Sequence, residues 1–145
     1  MRIDFYHLTA TPLERVLPSI AERLLAGGER LLVVARPEQV EVLNQSLWTY
    51  AEESFLPHGA RGGGRDGDQP VLIGSEVEPA NGARNIALAD GTWRDDALGF
   101  ERAFYFFDSG TIEGARGAWR DLKGRGEAEL HYWKQDGRGR WVEGP

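Results

Sequence analysis

Arg30-Leu31-Leu32-Val33-Val34-Ala35, followed at once by Arg36-Pro37, is the stretch that decides the fold. It is a continuous apolar run between two turn signals, with Gly27-Gly28 before it and Pro37 after it. A strand covered on both faces in a parallel sheet reads this way, whereas a strand with one wet face alternates. Upstream, residues 2–8 read as a first strand. Thr11-Pro12-Leu13-Glu14 reads as a helix start, with Thr11 capping, Pro12 at the first helical position and Glu14 closing a capping box. That helix is expected to run to about Ala26 and stop at Gly27-Gly28. Pro18 inside it should kink it or delay its start. Downstream, Pro37 opens a helix lasting to roughly Tyr50. Strand–helix–strand–helix at this spacing predicts βαβ units and a mostly parallel sheet.

Working further outward, residues 59–70 (GARGGGRDGDQP) are glycine-rich and polar and are expected to form a mobile loop. Val71–Ile73 and Asn85–Leu88 read as short strands, and Phe100–Phe107 as a central strand apolar on both faces. Thr111–Lys123 reads as a helix that ends near Gly124-Arg125-Gly126. Glu129–Lys134 and Arg140–Val142 flank Asp136-Gly137-Arg138-Gly139 and predict a terminal hairpin. No internal repeat or linker interrupts the chain, so residues 1–145 are expected to form a single domain.

The 145 residues carry a formal net charge of −6 and no cysteine. Disulfides, thiolate metal sites and cysteine nucleophiles are therefore excluded, and a reducing, cytoplasmic setting is expected. The N-terminus runs straight into a strand without the apolar core of a signal peptide, and no stretch is apolar enough to span a membrane. An acidic body is a poor polyelectrolyte partner for nucleic acid. Between Ala115 and Trp141, however, seven Lys/Arg face four acids, which makes that segment +3 and the remainder −9. A local basic face on an acidic body suits an acidic peptide better than a duplex.

Catalytic motifs are missing where an α/β domain would hold them. The turns His7-Leu8-Thr9-Ala10-Thr11 and Arg36-Pro37 carry neither GxGxxG nor GxxxxGK[ST]. His7, His58 and His131 have no metal-ligand spacing, so no metal and no cofactor is expected. Asp4, His7 and Asp108 lie near strand ends. They would serve the competing reading, a small α/β enzyme or nucleotide-binding protein; capping or turn formation is the simpler role for the two aspartates.

Two features exceed a plain core pattern. On the second helix Val40, Leu43, Leu47 and Tyr50 form the sheet-facing stripe, and Trp48 lies roughly 120° away on a 3.6-residue wheel. On the late helix Ile112, Ala115, Trp119 and Leu122 form the core stripe, and Arg116, Arg120 and Lys123 line one flank. A large aromatic bordered by a basic row offers an apolar pocket with a guanidinium rim, suited to a carboxylate. An ordinary amphipathic helix with a solvated basic edge has the same pattern.

These residues also carry a resemblance. Phe5-Tyr6, the Leu31–Ala35 strand, Leu47-Trp48 followed by Glu53-Ser54-Phe55-Leu56-Pro57-His58, and a late helix with Arg116, Trp119 and Arg120 resemble the chi subunit of the bacterial DNA polymerase III holoenzyme. The segment Glu53–His58 after Leu47-Trp48 is the most specific part. The resemblance implies an α/β, Rossmann-like three-layer domain with a mostly parallel central sheet and helices on both faces. It implies a non-catalytic adaptor in DNA replication that binds the acidic C-terminal tail of single-stranded-DNA-binding protein (SSB). It also implies a link to the clamp loader through the psi subunit, or directly where psi is absent. Arg116 would meet the tail carboxylates, with Trp119 and Arg120 beside it and Lys123 as a further basic rim. Trp48 and Phe55 would line the same apolar pocket. Contact with DNA would be indirect.

Overall fold

The computed structural model describes residues 1–49, 58–60, 67 and 69–144, without the side chains of residues 48, 49 and 58–60. The strands are β1 (Arg2–His7), β2 (Leu31–Val34), β3 (His58–Ala60), β4 (Val71–Gly74), β5 (Asn85–Leu88), β6 (Arg102–Phe107), β7 (Glu129–Gln135) and β8 (Trp141–Glu143). The helices are α1 (Leu13–Ala26), α2 (Pro37–Thr49) and α3 (Ile112–Arg125), and a 3₁₀ turn covers Asp95–Gly99. The described strands form one eight-stranded sheet in the order β3-β4-β2-β5-β6-β1-β7-β8. Among the described residues every pairing is parallel except the terminal β7–β8 hairpin. None of the described helices is long and apolar enough to cross a membrane.

The apolar run that opened the sequence reading is the reason the sheet is covered twice. Leu31, Leu32, Val33 and Val34 are all fully buried. Alternate residues serve opposite layers. Leu31, Val33, Phe104, Phe106 and Tyr6 pack with Leu17 and Ile20 of α1 and Leu43 and Leu47 of α2. Leu32, Val34, Tyr105, Phe107 and Phe5 pack with Ala115 and Leu122 of α3 and Ala97 of the 3₁₀ turn. Each large side chain so buried contributes roughly 2 kcal/mol through removal of apolar surface from water. The expected three-layer α/β arrangement is therefore the observed one.

Three local expectations change. α1 starts at Leu13 with Pro12 at its cap position and no side-chain cap bond. Thr11 does not cap the helix, because its hydroxyl accepts a hydrogen bond from Gln135 instead (Nε2–Oγ1 2.8 Å). Nor does Pro18 delay the start; it lies buried within a helix that is already under way. Of the 59–70 segment expected as a loop, Gly59 and Ala60 belong to β3, and most of the remainder lies outside the described residues.

Candidate peptide-binding site

α3 is seated by Ala115 and Leu122, both buried against the sheet, and ends at Gly126 in the left-handed conformation (φ 66°). Only glycine adopts that backbone without cost, so the helix stops there and the chain turns into β7. The same stripe brings Trp119 over β1. Its ring meets Phe5 edge-on at 5.1 Å and Tyr132 of β7 at 6.0 Å. These rings, with Phe107, Ile112 and Ala115, enclose a cleft of about 440 Å³. Arg116, Arg120 and Lys134 complete its lining, and no carboxylate is among the described lining residues. Arg116 is exposed and reaches Glu113 one turn away (Nη1–Oε1 3.0 Å). A surface pair of this kind is worth little and yields readily to a better anion.

His7 packs behind two of the cleft's lining residues, Phe107 and Tyr132. Its ring stacks on Phe107 (12° between planes, 5.0 Å between centroids), and Nδ1 lies 3.3 Å from the Tyr132 hydroxyl. Partial burial, and then the positive charge of Arg116, hold its pKa below the ordinary histidine value. The cations that line the cleft are the guanidinium groups of Arg116 and Arg120 and the ammonium of Lys134.

The late-helix expectation thus finds Arg116, Trp119 and Arg120 together in one cleft. Lys123 is exposed on the same helix but does not line it; Lys134 supplies the third cation. Phe55 and the Trp48 side chain lie outside the described residues. The helix that carries Trp48 packs beside α1 through Leu43 and Leu47, on the opposite face of the sheet from α3. None of the described residues of α2 lines the cleft, so the structure does not bring the two helices together there. Tyr132 and Lys134 were missed in the sequence. The hairpin was foreseen, but the parallel register that sets Tyr132 opposite Phe5 was not.

A second cavity, about 530 Å³, lies at the C-terminal ends of the strands, between Leu8–Glu14 and Phe106–Asp108. β6 leads into α3 on one face, and its neighbour β1 leads into α1 on the other. This is the switch point where open α/β sheets place their ligands. Here the amides that would cradle a phosphate are already satisfied. The N–H groups of Thr9, Ala10 and Thr11 all donate to Gln135 Oε1 (3.4, 2.9 and 3.1 Å). Gln135 Nε2 in turn donates to Thr11 Oγ1 and to the Gly139 carbonyl (3.0 Å), tying the hairpin to the β1–α1 turn. Gln135→Ala is expected to cost about 1–2 kcal/mol, since part of the loop can turn to water instead. Thermal unfolding and faster amide exchange at residues 9–11 measure it.

The residues that would serve an enzyme at these strand ends are otherwise engaged. Asp4 is buried inside an ion cluster. Asp108 builds the turn before α3, its carboxylate accepting the Gly110 N–H at 2.9 Å. His7 stacks on Phe107 beside the Tyr132 hydroxyl and does not line the strand-end cavity.

A Rossmann-like parallel α/β domain with its strand-end cradle closed, and an apolar, cation-rimmed cleft on one flank, is the class of protein that results. The sequence matches the family described as DNA polymerase III chi subunit, HolC, over residues 1–129, and the chain belongs to that family. It is similar to the probable DNA polymerase III subunit chi of Rickettsia prowazekii (strain Madrid E), 28% identical over 80 residues, 55% of this chain and 48% of that one. It is also similar to the DNA polymerase III subunit chi of Escherichia coli (strain K12), 31% identical over 77 residues, 52% of each chain. The match thus spans about half the length of these relatives.

Proposed function

We propose that the protein is a non-catalytic accessory subunit of a DNA polymerase III holoenzyme, acting in DNA replication in the cytoplasm. Its task is to hold the acidic C-terminal tail of SSB in the α3 cleft. It thereby links SSB-coated DNA to the clamp loader, through psi or through a clamp-loader subunit directly. The observation that carries this reading is the cleft itself: Trp119, Tyr132 and Phe5 form its walls, and Arg116, Arg120 and Lys134 form its rim. An apolar terminal side chain enters between the rings, and the free carboxylate meets the guanidinium of Arg116 or Arg120. Acidic residues upstream meet Lys134, with Lys123 further out. The resemblance assigns Trp48 and Phe55 to the same tail, and Trp48→Ala tests whether the tail reaches α2.

Because the rim is exposed, binding is modest, falls as salt rises, and gains from the many tails along a coated strand. The test is calorimetric titration with a synthetic SSB tail peptide and with the same peptide amidated at its C-terminus. Saturable binding at low salt, weakened about tenfold or more by amidation, is the expected result. No binding of the free-acid peptide overturns the reading.

A further inference from the structure

We propose that a second peptide site lies back to back with the first, on the α1 face of β1 and β7, and that it takes an acidic segment carrying one apolar side chain. Strand alternation creates it. Phe5 and Tyr132 face the α3 cleft, while the next residue on each strand, Tyr6 and Trp133, faces the other way. There they line a separate cavity of about 280 Å³. Trp133 stacks on Tyr6 (16°, 6.2 Å), and Trp141 of β8 stands edge-on to Tyr6 at 5.1 Å. Val16 and Ile20 of α1 supply an aliphatic wall. The space suits one side chain of leucine or phenylalanine size rather than a run of bases.

Its rim is cationic. Arg2, Arg23 and Arg102 line it, and Asp4 is the carboxylate beneath. Asp4 is fully buried and already accepts from Arg2, Arg102 and the Trp133 indole (3.0, 3.0 and 2.9 Å). The side chains of Arg2 and Arg102 remain 38% and 33% exposed, and Arg102 gives Asp4 only its Nε. Arg23 stands exposed on α1. Among the lining residues three guanidinium groups face the single carboxylate beneath them, a local excess of cations on a chain whose net charge is −6. Planar forks beside tryptophan rings are the chemistry of carboxylate recognition and of protein interaction hot spots.

The surroundings select a peptide over a nucleic acid. Glu129 and Glu143 hold His131 between them (3.0 and 3.1 Å) further along the same face of the hairpin, and Glu22 adjoins Arg23. A polyphosphate backbone would have to cross those carboxylates, whereas one or two acidic side chains need only the arginines. The two sites open on opposite faces of β1 and β7, so both fill at once without collision, and the second does not depend on the tail reading.

The probe is an acetylated, C-terminally amidated peptide, Gly-Asp-Leu-Asp-Gly, which lacks the terminal carboxylate that the α3 cleft is proposed to hold. Each site has its own reporter, the indole N–H signals of Trp133 and Trp141 for the new site and that of Trp119 for the cleft. In an Arg116→Glu background, the peptide is expected to move the Trp133 and Trp141 signals saturably while Trp119 stays still. Adding Arg23→Glu, a surface change, is expected to weaken that response at least tenfold. No movement at Trp133 and Trp141, movement insensitive to Arg23→Glu, or movement produced by oligo-dT and not by the peptide overturns the proposal. Movement of Trp119 alone also overturns it, and reports on the α3 cleft instead.

Discussion

Asp4→Asn unfolds the protein about 6–10 °C below the parent and removes about 2–3 kcal/mol of stability. The residue sits at the centre of β1 with no exposed surface and is held by Arg2, Arg102 and Trp133. Removing one partner from a buried ion pair typically costs about 3–5 kcal/mol, because the other charge is left behind. Here the loss is smaller, since both guanidinium groups are about one-third exposed and reach water when released. Asparagine keeps the volume, so a cavity cannot account for the effect.

The pH dependence follows from the same contacts. Burial works to raise the Asp4 pKa. The hydrogen bonds from Arg2 and Trp133, with the charge of Arg102, outweigh it and hold the group below the ordinary carboxylate range. A carboxyl whose folded pKa is depressed contributes its stability above the unfolded value, about 3.9, and loses it as pH falls through the folded value. The parent therefore loses this increment below about pH 4, and Asp4→Asn does not. Parallel unfolding curves across that window would show the assignment to be wrong.

The second large effect concerns binding. Arg116→Glu with Arg120→Glu is expected to lower affinity for the SSB tail peptide at least 30-fold at low salt. Two cations facing an anionic ligand become two anions, and like-charge juxtaposition costs several kcal/mol. Both side chains are exposed, so the fold is disturbed by no more than about 0.5 kcal/mol. Equal unfolding temperatures for the two proteins therefore separate lost recognition from lost structure. Affinity of the double variant should depend less steeply on salt, because fewer opposite charges are screened. A double variant that binds as well as the parent would remove the α3 rim from the proposed function.

How much of this was legible depended on the range of the interaction. The buried strands could be read because Leu31–Val34 and Phe104–Phe107 carry their environment in their own composition. The stripe Ile112, Ala115, Trp119, Leu122 likewise announced which side of α3 meets the sheet. A stripe does not say which face of the sheet it meets. Placing Trp48 and Trp119 in one pocket came from the resemblance and not from any stripe, and the leucines of α2 and α3 enter different cores. The Thr11 cap was a sound local reading overridden by a residue 124 positions away. Asp4, weighed as a strand-end acid, could not be recognised as an ion-cluster centre while Arg102 and Trp133 were distant letters. Tyr132 and Lys134 escaped for the same reason.

The place of β1 in the sheet has a consequence for how the chain is made. Of the described strands it is the first in chain order, yet both its neighbours, β6 and β7, lie far downstream. Two of the three partners of Asp4 lie 98 and 129 residues downstream. Throughout most of synthesis β1 has two open edges and a tethered α1, while β2, β4 and β5 already have one another. Nascent chains halted before Arg102 should thus hold a partial sheet with a loose N-terminus, open to protease and to pairing with another chain. Closure of the domain is a late, non-local event, which predicts slow folding for its size.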